Sequence, residues 1–209
     1  MLSKEAYTIY NQLKVHIPHP VCELEYKSLF QLVIMSILSA QTTDKKVNKI
    51  CKDLFEVYPN ATSLQNASVD ELYLYVKSLG FGERRAKMII QTSKIISDKG
   101  IICDETYILS LPGVGRKVMS IIMCEGFKKD YLPIDTHIIR ISSRLDFSKS
   151  KNPLLIEKDL KLLFKKEDYY KLHLTLIHFG RYMCLAKKPK CLNCYIKDYC
   201  KYNKEERNI

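Results

Sequence analysis

Four cysteines near the C-terminus have the spacing of a metal-binding cluster: six, two and five residues lie between Cys184, Cys191, Cys194 and Cys200. Short connections of this kind allow four thiolates to converge on one centre. Zinc and an iron–sulfur group both accept four thiolates, and the spacing alone slightly favours zinc because structural Cys₄ zinc sites are common. The remaining cysteines follow no ligand pattern and are expected to be small core residues.

A second candidate site is a glycine turn followed by two basic residues. Residues 111–117 read Leu-Pro-Gly-Val-Gly-Arg-Lys and lie between two stretches of helical periodicity. Gly113 and Gly115 permit a tight turn, and the helix start behind them offers N–H groups to a phosphate. The alternative is a plain turn with Arg116 and Lys117 solvated, and the turn alone supports both readings equally. A nucleotide-binding P-loop is disfavoured because its Gly and Lys-Ser/Thr spacing is absent.

Lys117 could also act as a nucleophile. A position near a helix N-terminus and partial burial both favour a neutral amine, which can attack an electrophilic carbon and form a Schiff base. Asp135 follows eighteen residues later (135 minus 117) and could steer protons and stabilise a developing cation. An aspartate before an apolar helix is also a normal N-cap, so residue types alone leave its role open. His137 is predicted to be a partly buried histidine that makes a hydrogen bond.

The composition indicates a globular protein that attracts a polyanion. Lys and Arg number 34 against 23 Asp and Glu, which gives a net charge of +11. Nucleic acid is the first candidate partner, although an acidic membrane surface would also be attracted. No apolar run has the length of a membrane span, and the N-terminus lacks a signal-peptide core. We therefore expect no membrane association and an intracellular protein, in the cytoplasm or nucleoid if bacterial, without a disulfide framework.

Apolar residues recur at three- and four-residue steps, and glycine and proline number only seven each, which predicts an all-α protein. Helices are predicted near residues 4–16, 28–38, 44–57, 69–78, 83–98, 105–109, 116–126, 135–145, 153–164 and 169–181. Three starts are marked by capping residues: Ser28 with Gln31, Ser68 with Glu71, and Asn152 before Pro153. The cysteine-rich segment from position 184 shows little periodicity, which suggests that a metal rather than a core holds it.

The glycine turn with its lysine, the Ile-Asp-Thr-His segment at 134–137 and the cysteine spacing occur together and in that order. Together they resemble the endonuclease III family of helix-hairpin-helix DNA glycosylases. The likeness extends to Leu-Ser-Ala-Gln-Thr-Thr-Asp at 38–44, Pro-His-Pro at 18–20 and His-Phe-Gly-Arg at 178–181, so it covers nearly the whole chain.

The resemblance implies two helical domains with a DNA-binding cleft between them. Residues 22–129 would form a six-helix barrel domain with the helix-hairpin-helix motif. Residues 1–21 and 130–209 would form a second domain that holds a [4Fe-4S] cluster, which replaces zinc as the expected occupant of the four cysteines. A monomer is the simplest expectation, because both domains come from one chain.

The resemblance also implies a repair activity on double-stranded DNA with damaged or abasic sites. Lys117 would attack C1′ of a flipped-out oxidised pyrimidine nucleotide, and Asp135 would activate this lysine and support the cationic transition state. A β-elimination would then cut the strand on the 3′ side. The expected DNA contacts are Gln41, Phe81, Gly113, Gly115, Arg116, Lys187, Lys188 and Lys190. Gln41 would fill the space that the flipped nucleotide vacates. The alternative is that Gln41 is an ordinary residue at a helix N-terminus.

One position departs from the family pattern. Gly80-Phe81-Gly82 has glycine where the family usually has a large residue, which puts contacts to the opposite base in question. Phe81 could still wedge into the base stack. Adenine glycosylases share the fold and cluster but lack the lysine. A non-catalytic DNA-binding module with zinc and a glycosylase without lyase activity stay open as alternatives.

Overall fold

The structure is a computed structural model that describes residues 2–206, and in this range it contains helices and no β-strand. Met1 and residues 207–209, which the predicted bounds of the second domain include, lie outside the described residues. The chain divides into two compact units, one of residues 22–129 and the other of residues 2–21 and 130–206. None of the described helices is long and apolar enough to cross a membrane. The all-α prediction is confirmed.

Seven α-helices build the unit of residues 22–129. They are α2 (Leu29–Leu38), α3 (Asp44–Val57), α4 (Ala61–Leu64), α5 (Val69–Val76), α6 (Gly82–Lys99), α7 (Glu105–Ser110) and α8 (Arg116–Ile121). Helix α2 is buried on all sides except at its first residue, so it forms the centre of this unit. Helix α6 packs against both α4 and α5.

Side-chain caps set most helix starts in this unit. Ser68 and Glu71 form the predicted capping box at the start of α5. Ser28 caps α2 as predicted, but the Gln31 side chain accepts from the Lys27 N–H instead of the Ser28 N–H, so only half of that box forms. The short helix α4, capped by Asn60, was not predicted because four residues give too little periodicity to detect.

The predicted helix over 116–126 is wrong in its second half. Regular α-helix ends at Ile121, and residues Ile122–Gly126 form a π-helical turn. The widened turn brings Gly126 against α2, where a Cβ would lie 2.4 Å from Leu29 Cδ1. It also buries the Glu125 carboxylate, which accepts a hydrogen bond from the Tyr26 hydroxyl. The packing of this turn determines where the α-helix ends, and the periodicity of apolar residues in the sequence does not reveal that packing.

The described residues of the other unit form five α-helices: α1 (Ser3–His16), α9 (Thr136–Arg144), α10 (Pro153–Leu163), α11 (Tyr169–Tyr182) and α12 (Lys201–Glu206). Asn152 caps α10 with proline in its first turn, as predicted. Edge-to-face and tilted ring contacts join Tyr7, Tyr10 and Phe147 to Phe164 in the core. Helix α12 was not predicted, because the sequence suggested no helix in the cysteine-rich segment.

Helices α9 and α11 pack closely at Gly180. A Cβ on Gly180 would lie 2.9 Å from Ile141 Cδ1 and 3.0 Å from His137 Cβ, so a larger residue would push the helices apart. The contact fixes the start of α9, where Asp135 lies.

Candidate functional site

The glycine turn joins α7 to α8 and is held against the core of its unit. Leu111 is buried, and its carbonyl accepts a hydrogen bond from the Val114 N–H at 3.0 Å. Gly113 has φ = 84°, and a Cβ there would lie 2.8 Å from Ile37 Cγ2. The buried Thr92 hydroxyl of α6 donates to the Pro112 carbonyl at 3.0 Å. Only glycine fits at position 113, because both the backbone angle and the packing exclude a side chain.

Gly115 has the opposite surroundings. It is the N-cap of α8, it is exposed, and no atom lies within 4 Å of where its Cβ would be. No side chain caps α8. The first turn of α8 therefore begins at an open surface, and the glycine leaves space for a ligand to approach the backbone.

Arg116 and Lys117 occupy the first turn of α8, and both side chains are exposed. Burial does not contribute to a neutral Lys117, because the first turn follows the glycine turn at the surface. The amine of Lys117 is thus accessible to a large substrate.

Three of the predicted DNA-contact residues line one groove. Gln41, Phe81 and Gly113 surround about 800 Å³ of space, part of it open to solvent. The rest of the lining is Ile37, Ala40, Arg84, Arg85 and Met88. Gln41 is exposed and precedes α3 by three residues. The alternative interpretation, in which Gln41 is an ordinary residue at a helix N-terminus, is therefore wrong.

Phe81 and Gly82 form the start of α6. Phe81 has φ = 52° and is 75% exposed, which is a large apolar surface to leave in water. Gly82 is buried, and a Cβ there would lie 2.8 Å from Lys77 Cα and 3.0 Å from the Tyr73 ring. The departure from the family pattern at Gly82 therefore has a packing cause: the preceding 3₁₀ turn Lys77–Leu79 and Tyr73 occupy the space of a side chain.

Asp135 lies in the other unit and caps α9. Its Oδ1 accepts from the Ile138 N–H at 2.9 Å, and its Oδ2 lies 2.9 Å from His137 Nδ1. Only 9% of the side chain is exposed. Burial alone would raise the pKa of Asp135, but the hydrogen bonds from His137 and Ile138 and the charges of His137 and His173 outweigh it, and that pKa falls below its ordinary value. The carboxylate is therefore ionised at neutral pH.

Two histidines support this carboxylate. His137 is partly buried and hydrogen-bonded, as predicted. His173 was missed by the sequence analysis: it is 4% exposed, and its Nδ1 lies 2.9 Å from the Pro133 carbonyl oxygen, beside the Asp135 segment. A lone histidine on an apolar helix gives no signal of such a role.

The four C-terminal cysteines line one cavity, in which water-sized spheres can occupy about 20 Å³. Burial raises the pKa of the Cys194 thiol, and so do the charges of the other three cysteines, which shows that the four lie near one another. Among residues 2–203, whose side chains are described, no three His, Cys, Asp or Glu side chains are arranged to hold a single metal ion. The four thiols therefore lie around one shared cavity.

Two arginines of α9 hold the first cysteine and its loop. Arg144 Nη1 donates to Cys184 Sγ at 3.2 Å and to the Leu185 carbonyl at 2.7 Å. Arg140 donates to the carbonyls of Gly180 and Cys184. Neither arginine was predicted from the sequence, although their four-residue spacing places them on one face of α9.

The predicted basic loop lies between the first two cysteines. Lys187, Lys188 and Lys190 are all exposed. The Lys190 N–H donates to the Met183 carbonyl at 3.1 Å, so the loop returns to the end of α11.

Comparisons with known proteins identify the family. The sequence profile of the HhH-GPD superfamily of base excision DNA repair proteins matches residues 34–166, a range that includes Lys117 and Asp135 and ends before the four cysteines. Endonuclease III of Haemophilus influenzae is 36% identical over 200 residues, which are 94% of this chain and 95% of that protein. The chain belongs to the endonuclease III family.

Solved structures agree with this family. A non-covalent endonuclease III–DNA complex is 30% identical, with a TM-score of 0.95 over the whole of both chains. A trapped endonuclease III–DNA covalent intermediate, an estranged-adenine complex, is 31% identical, with a TM-score of 0.94 over 99% of both chains. The protein is therefore a DNA-binding enzyme of base excision repair, a bifunctional glycosylase and lyase, and the predicted resemblance is confirmed.

Proposed function

We propose that this endonuclease III family protein removes oxidised pyrimidines from duplex DNA, with Lys117 as nucleophile, and then cuts the strand 3′ to the abasic site. The observation that carries the proposal is the exposed amine of Lys117 in the first turn of α8, directly after the glycine turn. A substrate as large as a duplex can reach this amine, whereas a buried lysine would be inaccessible.

The chemistry follows from attack of Lys117 Nζ on C1′ of the damaged nucleotide. The glycosidic bond breaks, and its electron pair leaves with the base, which takes up a proton. The sugar ring opens to an imine between Lys117 and C1′. Loss of a C2′ proton then expels the 3′ phosphate by breaking the C3′–O bond, and water hydrolyses the imine to restore the amine.

Asp135 stabilises the positive charge that develops on the sugar. Its lowered pKa makes it a weak base but a permanent anion, so the electrostatic contribution outweighs proton abstraction. The bonds to the Ile138 N–H and to His137 fix the carboxylate in one orientation. Asp135 also guides the proton that leaves the attacking amine.

The groove of Gln41, Phe81 and Gly113 opens the duplex in this proposal. Phe81 enters the base stack from its exposed position, and Gln41 fills the space of the extruded nucleotide. Gly113, Gly115 and Arg116 hold a phosphate at the start of α8. Lys187, Lys188 and Lys190 add sequence-independent phosphate contacts.

We assign a [4Fe-4S] cluster to Cys184, Cys191, Cys194 and Cys200. A cubane cluster takes one thiolate on each of four irons, and the four cysteines that line this one cavity supply that number of thiolates. When bound, the cluster supplies folding free energy by cross-linking the C-terminal segment. Arg144 donates to the Cys184 sulfur and to the loop behind it, so it holds this ligand in place. We also propose a monomer that works where chromosomal DNA is found.

Turnover on a panel of damaged duplexes tests the activity, with base release and strand cutting scored separately. We expect release of thymine glycol with coupled cutting, and no release of adenine from a mismatch. Base release without cutting before alkali treatment would leave a glycosylase without lyase activity. No release and no cutting would leave a non-catalytic DNA-binding module.

The cluster assignment has its own test. We expect about four irons per chain and visible absorption. Cys194→Ser should lose both, whereas Cys103→Ser, at an exposed cysteine outside the ligand pattern, should keep both. Stoichiometric zinc in colourless wild-type protein would contradict the assignment.

A further inference from the structure

Arg85 is a buried cation whose hydrogen bonds, among the described residues, all go to main-chain carbonyls. It is 7% exposed and lies in the second turn of α6. Its guanidinium donates to Leu38 O at 2.8 Å and Ala40 O at 2.7 Å, and also to Gly80 O at 2.8 Å and Leu79 O at 3.4 Å. No acidic side chain forms an ion pair with it in the described part of the chain. Its charge is instead balanced by carbonyls at the ends of two helices.

These carbonyls belong to two different turns. Leu38 and Ala40 lie at the end of α2, directly before Gln41, and Leu79 and Gly80 lie directly before Phe81. Gln41 and Phe81 both have left-handed backbones, with φ of 56° and 52°, and both side chains are exposed. A left-handed conformation in a residue other than glycine persists only where its surroundings hold it. Arg85 bonds to the peptide groups preceding both residues, through Gly80 O and Ala40 O.

We propose that Arg85 is a positioning residue that locks the Gln41 turn and the Phe81 turn into one rigid unit for opening the duplex. The inference rests on the proposed roles of Gln41 and Phe81 in DNA. The planar fork of arginine can reach carbonyls on two turns at once, whereas the single nitrogen of lysine cannot span them. The two side chains must enter the duplex together, so their relative position determines how well a nucleotide is held out of the stack.

Arg85→Lys and Arg85→Met test this role in single-turnover experiments. Both variants should slow base release from duplex DNA by roughly 10- to 100-fold, because the two turns lose their common anchor. Borohydride trapping on a single-stranded abasic oligonucleotide should stay close to wild type, since no base pair has to be opened. Ile96→Ala, a cavity variant in the same helix, controls for lost stability and should leave both rates near wild type. If Arg85→Met does not fold, Arg85→Lys decides the question.

A second readout reports the opening step itself. 2-Aminopurine opposite an uncleavable abasic site should brighten when wild-type protein binds, and this signal should fall in Arg85→Lys at saturating protein. In a Gln41→Ala/Phe81→Ala background, Arg85→Lys should have little further effect on duplex base release, because it acts through those residues.

Equal losses on duplex and single-stranded DNA would overturn the inference and leave Arg85 a purely structural residue. Unchanged duplex activity in both variants would also overturn it. Failure of the proposed function is distinguishable, because wild-type protein would then form no trapped complex on either substrate.

Discussion

Helices α8 and α9 carry the two residues proposed for catalysis, and their N-termini are built in opposite ways. Helix α8 has Gly115 as its N-cap, without a side-chain cap, and two cations, Arg116 and Lys117, in its first turn. Helix α9 has Asp135 as its N-cap, and both carboxylate oxygens of Asp135 are hydrogen-bonded. Cations at a helix N-terminus are unfavourable and glycine is a weak cap, so α8 gives up stability where α9 gains it.

The two helix ends therefore meet different chemical demands. An anion that must stay ionised and fixed is well served by a buried cap with a histidine partner. An amine that must reach a sugar, beside a backbone that must meet a phosphate, needs an open helix end. Substitutions that exchange these properties should therefore separate stability from activity.

The largest effect is expected for Lys117→Ala. Borohydride trapping on abasic duplex should disappear because no amine is left to form the imine. The free energy of unfolding should stay level or rise by about 0.3–1 kcal/mol, since a cation leaves the positive end of α8. Lys158→Ala, at an exposed lysine of α10, should trap like wild type. A trapped yield in Lys117→Ala equal to wild type would remove this residue from the reaction.

A large effect on activity but a small one on stability is expected for Asp135→Asn. Asparagine still accepts a hydrogen bond as an N-cap, so α9 should keep its start, whereas loss of the negative charge should slow base release roughly 10²- to 10³-fold. Asp135→Ala should lose the cap as well and unfold more easily by about 1–2 kcal/mol. Single-turnover rates and denaturant titrations separate the two. Equal stability of both variants would contradict the capping role.

Gly115→Asp would give α8 the kind of cap that α9 has. Position 115 has an extended backbone and open space, so the substitution should stabilise the protein by about 0.5–1 kcal/mol. The new charge should repel phosphate and weaken DNA binding severalfold in a titration at fixed salt. Gly113→Ala is the matched contrast and should destabilise by about 1–3 kcal/mol. Unchanged DNA affinity in Gly115→Asp would argue against a phosphate at this helix end.

The smallest effect concerns pH. Because the pKa of Asp135 is lower in the folded protein than in the unfolded chain, its charge stabilises the fold above about pH 4, and this contribution is lost as the pH falls further. Thermal unfolding should therefore show that the difference in melting temperature between wild type and Asp135→Asn becomes smaller as the pH is lowered. A difference that is constant from neutral to acid pH would contradict the lowered pKa.

Local sequence patterns predict most of the helices and several of their caps, because helices and caps both depend on residues three or four positions apart. They also gave the glycine turn, the lysine and the cysteine group. Three features depend on distant packing and were not predictable: the exposure of Lys117, the π-helical turn after Ile121 and the bonds of Arg85 to carbonyls of two turns. The packing that requires Gly82 likewise depends on Tyr73, nine residues earlier (82 minus 73).

Peptide mapping by mass spectrometry, after borohydride reduction of the wild-type protein with abasic duplex, tests the central chemistry most directly. We expect one reduced sugar adduct per chain, on the peptide that contains Lys117 and at that lysine. An adduct at another lysine or at the N-terminal amine, with Lys117 unmodified, would contradict the assignment of the nucleophile.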